Sequence, residues 1–287
     1  MSGLRDVAPF VGMAALFLAV ELLAIAFVPS FEAAGLQATE NAQDPTNSVL
    51  YFSAILVFTA FLLGAVRLGY DIVLRAVIIG SVGVLCFYAL SALVPVVGAA
   101  AGGVVVAGLV AVYPEWYVVD TAGVLMGAAG AGIFGISFGV VPALLLLVVL
   151  AVYDAVAVYR TEHMLTLADG VMDLKLPVMF VVPRRPGYSF VEDTEEMTEG
   201  DESDALFMGL GDAVIPGVLV ASAAHFVGYG PAAGALVGAL VGFVALMRKV
   251  AEGEPHAGLP LLNGGAIAGF FVGAYVFGVT PLEAVGL

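Results

Sequence analysis

Charge is scarce in this sequence. Only 11% of its 287 residues are charged, against about a quarter in soluble domains. Basic residues are scarcer still: 9 Lys and Arg stand against 24 Asp and Glu, for a formal net charge of -15. With no basic patch to neutralise phosphates, nucleic-acid binding is excluded. One cysteine, Cys86, lies in an apolar run; it has no intrachain disulfide partner and reads as a small core hydrophobe. The three histidines, His163, His225 and His256, have no metal-ligand spacing with Cys or Glu, so no zinc centre and no cofactor is implied. No Ser-His pairing within a membrane span suggests a serine protease, and no His-Glu-x-x-His run suggests a membrane metalloprotease.

What the chain does contain is long apolar runs. Hydrophobic residues make up 62% of it and mean hydropathy is +1.09, values of a polytopic membrane protein. The apolar stretch Val7 to Val28 exceeds the h-region of a cleaved signal peptide and reads as a first membrane helix. Because about 20 apolar residues cross the hydrocarbon layer, spans are expected near 7–28, 48–66, 72–94, 97–114, 119–138, 142–159, 205–227, 231–247 and 258–278. The fold class is therefore all-α, with nine transmembrane helices. Helices one to six occupy 1–159, a partly flexible acidic loop 160–204, and helices seven to nine 205–287.

The positive-inside rule supports this count. Arg5, Arg67, Arg75, Arg160, Lys175, Arg184, Arg185, Arg248 and Lys249 all fall on one side under the nine-span reading. The opposite side has none: its longest loop, Pro29 to Asn47, carries only Glu32, Glu40 and Asp44. This puts the N-terminus in the cytoplasm and the C-terminus outside, in a multi-pass protein of the cell membrane. Within the 160–204 loop, Arg184 to Asp204 is strongly acidic and reads as a solvated connector. The apolar run Leu176 to Val182 reads as a short strand or re-entrant segment.

Two aspartates interrupt the apolar runs, Asp154 in Val152-Tyr153-Asp154 and Asp212 in Gly209-Leu210-Gly211-Asp212. A carboxylate in hydrocarbon is costly and usually marks function. Asp154 precedes Arg160 by six residues, roughly 9 Å at the helical rise; Asp212, measured from Ala205, lies roughly 10 Å in. The matching depths on consecutive antiparallel helices predict a facing pair, and such a pair ionises by sharing one proton. Gly209 and Gly211 leave no side chain on the surface near Asp212, so a substrate backbone or partner helix can come close. Small-xxx-small rows at Gly98/Gly102, Gly123/Gly127, Gly234/Gly238/Gly242 and Gly269/Gly273 suit close helix packing.

Tyr153-Asp154, the Gly-Leu-Gly-Asp of 209–212 and Ala257-Gly258-Leu259-Pro260 together resemble, in order and spacing, the Tyr-Asp, Gly-x-Gly-Asp and Pro-Ala-Leu-Pro motifs of the presenilin and signal peptide peptidase family. The last motif departs from the family, since Ala257 and Gly258 replace its first Pro and Ala. The derived orientation is like presenilin and opposite to signal peptide peptidase. The resemblance implies an intramembrane aspartyl protease with Asp154 and Asp212 as the catalytic pair. Its expected partners are the lipid bilayer and transmembrane helical protein substrates, with self-association left open. By the same resemblance Leu259 and Pro260, with Gly209, Leu210 and Gly211 just before Asp212, would offer an extended edge to an unwound substrate, joined by Val178 to Val182. Tyr153 would gate the pair or pack at a helix interface.

The competing reading is a proton- or cation-coupled transporter or channel using the same two aspartates. It is disfavoured because no inverted repeat is visible and the acids lie off the midplane. Glu21, a third membrane acid in the outer half of the first span, is expected to be neutral, hydrogen-bonded and remote from the pair, and Asn263 to satisfy backbone.

Overall fold

The computed structural model describes residues 2–161, 179–192, 204–250 and 256–285. It is almost wholly helical: α1 (Ser2–Ala33), α2 (Thr46–Arg67), α3 (Asp71–Ser91), α4 (Val96–Val112), α5 (Trp116–Ser137), α6 (Val140–Val156), α7 (Leu210–Phe226), α8 (Tyr229–Val250), α9 (Leu259–Val276) and the short α10 (Pro281–Ala284). Each expected span overlaps one of the first nine helices. Among the described residues six segments are both long and apolar enough to cross a membrane, Val7–Ala33, Ile72–Ser91, Trp116–Ser137, Val140–Tyr159, Tyr229–Val250 and Leu259–Val276, which makes this a multi-pass membrane protein. Thr46–Leu62, Val96–Val112 and Leu210–Phe226 are shorter apolar helices.

One boundary differs from the expectation. The seventh span does not begin as helix at Ala205, because Ala205–Gly209 forms a strand, β2. It pairs antiparallel with β1, Met179–Pro183, in the register Met179↔Gly209 through Val181↔Phe207 to Pro183↔Ala205. Burial alternates from Leu206 to Gly209, and β1 carries the β-branched Val181 and Val182; both suit a half-buried pleat better than a helix. Only at Gly209 does the chain turn into α7, so a depth counted at the helical rise from Ala205 is too short. The strand expected within Leu176 to Val182 is thus present from Met179 on; its first residues, most of the acidic run and His163 lie outside the described residues.

α5 is the most enclosed of the long helices. It packs against α1, α7, α3 and β1, while α7 touches α1, α5, α6, α8 and α9. The main core gathers Phe17, Leu147, Leu219, Phe243 and Phe270. A smaller cluster of Val119, Val181, Tyr188, Phe190 and Ala205 seats the sheet on the start of α5. Cys86 is buried in the α3 cluster, as a core hydrophobe should be. The tightest crossing joins α8 to α9, where Gly234 and Gly238 face Gly269, Gly273 and Gly265: a Cβ on Gly238 would strike the Gly265 carbonyl. Without water to drive helices together in lipid, such backbone proximity and its dispersion energy hold the pair. Ile72, Val97 and Val112 on α3 and α4 are almost fully exposed, an arrangement suited to hydrocarbon surroundings.

Candidate active site

Asp154 lies two residues before the C-terminal end of α6, and the chain then widens into a π turn at Ala157–Thr161. Such single π turns often accompany functional sites. Asp212 is the third residue of α7, where the helix dipole favours a carboxylate. Four residues on, Pro216 lacks the N–H that would close on the Asp212 carbonyl, which loosens this first turn.

The start of α9 lies against both acids. The Leu259 amide donates to Asp154 Oδ2 at 3.0 Å, and the Gly258 amide also faces this carboxyl. On its other side Gly258 lies against Asp212: a Cβ there would be 3.1 Å from Oδ1 and 3.2 Å from Oδ2. The two carboxyls are close enough to interact electrostatically. No side chain of α9's own caps its first amides, so Asp154 satisfies one from a different helix. Two helix N-termini therefore converge on this acid pair and favour one negative charge on it. Asp154 is buried and Asp212 half-buried.

The remaining expected site residues divide. Gly209 ends β2, and its missing side chain leaves Asp212 Oδ2 3.5 Å from where a Cβ would stand. Leu210 is buried and packs on Gly127 of α5, whereas Gly211 opens on free space. Tyr153 packs edge-on against Phe52 of α2, with ring centroids 6.0 Å apart, as a helix-interface aromatic. Leu259 and Pro260 do not form an extended edge. They are the first two residues of α9, a position at which proline's missing N–H and fixed φ help to start a helix; the irregular segment is His256–Gly258. Asn263 Nδ2 donates to the Leu147 carbonyl at 2.9 Å and ties α9 to α6, a backbone role as expected.

Glu21 departs from the expectation in its partners. It is fully buried, neither carboxylate oxygen has a hydrogen-bond partner among the described residues, and both lie close to Gly217 of α7, 3.4 and 3.5 Å from where a Cβ would stand. Two acids were missed altogether. Asp120, buried in α5, accepts the Val181 amide of β1 at 2.8 Å, and Glu115 accepts from Ser189 Oγ at 2.7 Å and the Phe190 amide at 3.1 Å. Asp120 stood in plain view inside the 119–138 span, where any acid is a functional candidate. Its partner, a backbone amide 61 residues away, leaves no mark in the sequence.

The family model described as signal-peptide peptidase, presenilin aspartyl protease matches residues 14–279. Among solved structures, a presenilin family intramembrane aspartate protease in a C222 crystal form aligns with TM-score 0.70 and 37% identity, covering 93% of this chain and 99% of that one. One in a P2 form aligns with TM-score 0.69 and 39% identity over 93% and 98%. No curated protein sequence matches significantly. A match spanning nearly all of the membrane helices, joined to a solved relative above a third identical, establishes that the chain belongs to the signal-peptide peptidase and presenilin aspartyl protease family.

Proposed function

We propose that the protein is an intramembrane aspartic endopeptidase that hydrolyses peptide bonds within transmembrane helices of membrane-protein substrates, with Asp154 and Asp212 as its catalytic residues. The observation that carries the assignment of these two residues is the Gly258-Leu259 step of α9, which bonds one carboxyl and abuts the other. In the proposed reaction the ionised aspartate takes a proton from a shared water while the protonated one donates to the scissile carbonyl oxygen. The resulting tetrahedral diol collapses, the amine leaves protonated and the two acids exchange roles. The pair titrates as a unit, so the roles belong to the pair and not to either residue. Family membership favours this reading over a transporter that would use the same acids.

A membrane helix hides its peptide bonds in its own ladder, so cleavage requires local unwinding and new partners for the freed groups. β2 runs directly into α7 and Asp212. We assign it the supporting edge, with Gly209 and Gly211 keeping the approach open and Leu210, Leu259 and Pro260 fixing the backbone around the acids. Tyr153 supports α6 against α2. The shorter apolar helices α2, α4 and α7 complete nine crossings, grouped as 1–159 and 205–287 about the 160–204 loop. Arg75 supports this arrangement: its guanidinium donates to the Ala111 carbonyl at 2.8 Å, so the start of α3 and the end of α4 share a face. That face is cytoplasmic by the positive-inside rule, with the C-terminus outside the cell membrane.

The test is cleavage of a single-span helical substrate by purified protein. Asp154→Asn and Asp212→Asn each abolish product while folding survives; product from both variants rejects the assignment. Impermeant labelling of a cysteine introduced between Pro29 and Asn47 succeeds from outside the cell if the orientation is right.

A further inference from the structure

Asp120 is spent on neither the acid pair nor ordinary helix packing. It lies five residues into α5, and Gly123, one turn on, gives room for the Phe180 ring, 2.9 Å from where a Cβ would stand. Val181 is the middle residue of β1 and pairs with Phe207 of β2. Its amide nevertheless goes to Asp120, a side chain of α5. Glu115, near the same helix end, takes two further donors from Ser189 and Phe190, just beyond β1. The base of the sheet is closed by the Arg184 amide on the Asp204 carbonyl at 2.8 Å and by Arg185 with Asp204 at 2.9 Å.

A two-stranded sheet has two outer edges, and each is a template for another strand. Asp120 occupies the middle of one. We propose that Asp120 is a positioning residue for proteolysis: by taking the Val181 amide it closes the outer edge of β1, pins the sheet to α5, and leaves the far edge of β2 to receive the unwound substrate in one register. The proposal rests on the protease reading, and it assigns to α5 a part in selecting which bond is presented. Asp120 acts as an acceptor, so asparagine can replace it and leucine cannot.

Cleavage of a single-span substrate in proteoliposomes, with product termini read by mass spectrometry, tests this. Asp120→Leu is expected to lower kcat/KM at least tenfold, mostly through KM, and to spread cleavage over neighbouring bonds. Asp120→Asn stays within about threefold of wild type with its product pattern intact, the size expected when a hydrogen bond is kept and a charge lost. Val181→Pro, which removes the donor at an outward-facing strand position where proline is tolerated, reproduces Asp120→Leu, and the double variant is no worse than the weaker single one. Wild-type termini and kcat/KM in Asp120→Leu overturn the proposal, as does an Asp120→Asn variant impaired to the same degree. Hydrogen exchange reads the same contact without catalysis: the Val181 amide is protected in wild type and Asp120→Asn and at least tenfold less in Asp120→Leu. A Val181 amide that exchanges like an open strand edge in wild type overturns the proposal whatever the variants do. Absence of cleavage by wild type, with Val181 protected, rejects the protease reading and leaves the contact standing.

Discussion

Asp154 and Asp120, at one end of the bundle, each hold a backbone amide from another segment, whereas Glu21, in the middle of it, holds none. All three are buried acids on apolar helices. The difference lies in where spare donors exist. Inside a regular helix every N–H is committed to the carbonyl four residues back; only helix starts and strand edges have amides to offer. Leu259 begins α9 and Val181 lies in a strand, so the lower end of the bundle is rich in donors. Glu21 faces Gly217, deep in α7, where the ladder is closed. A membrane protein can therefore ionise carboxylates where its backbone becomes irregular, and its active site is expected at such a place.

The contrast can be broken most strongly by taking a donor away. Leu259→Pro removes the amide that holds Asp154 at the first helical position, where proline needs no N–H; it also disfavours the helical φ and ψ of Gly258, so the measured loss combines the missing donor with a shift of that residue. A charge-assisted hydrogen bond is worth about 1.5–3 kcal/mol, so kcat/KM should fall roughly 10- to 100-fold with the protein still folded, measured on the same single-span substrate. Glu21→Leu sharpens it from the other side. Replacing an unsatisfied buried acid by an apolar residue of similar size should stabilise by about 1–3 kcal/mol; thermal unfolding in detergent should shift upward while cleavage persists. A lower Tm would mean that Glu21 has a partner after all.

Gly258→Ala is milder. Its backbone lies in the ordinary helical region, φ -77° and ψ -48°, and the atoms nearest the added Cβ belong to the end of the Asp212 side chain, at 3.1 Å and beyond. The carboxyl must move by a few tenths of an ångström, and kcat should change by no more than a few-fold, about 1 kcal/mol. Asp44, on the loop before α2, should matter least. Its carboxyl accepts from the Thr46 amide at 2.9 Å and from Oγ1 at 2.8 Å, which holds it below the usual carboxylate range. Its small contribution is present above the unfolded value near pH ~3.9 and is lost as pH falls through the lower folded value. Asp44→Ala should accordingly flatten the acid limb of a stability-against-pH curve and leave neutral pH nearly unchanged.

Helix existence was legible because about 20 apolar residues in a row admit only one backbone in lipid. Asp154 and Asp212 stood out as candidates for a related reason: charge in such a run is costly and usually marks function. The glycine seam of α8 and α9 could be read from its four-residue period. What failed was local continuation. Ala205–Gly209 is as apolar as the helix that follows it, and composition alone does not separate a buried strand from a helix of that length. Pro260 was assigned to an extended edge although proline equally begins helices, and only the fold shows which.

The sequence by itself set the membrane class, the helical segments and the two candidate acids, because transfer free energy is a property of each residue and sums along the chain. Tertiary structure alone decided that Gly258 and Leu259 meet both aspartates, that β1 and β2 pair, and that Asp120 has a partner while Glu21 has none among the described residues. Those contacts join residues tens of positions apart through backbone amides, which every residue except proline carries, so no side-chain pattern records them.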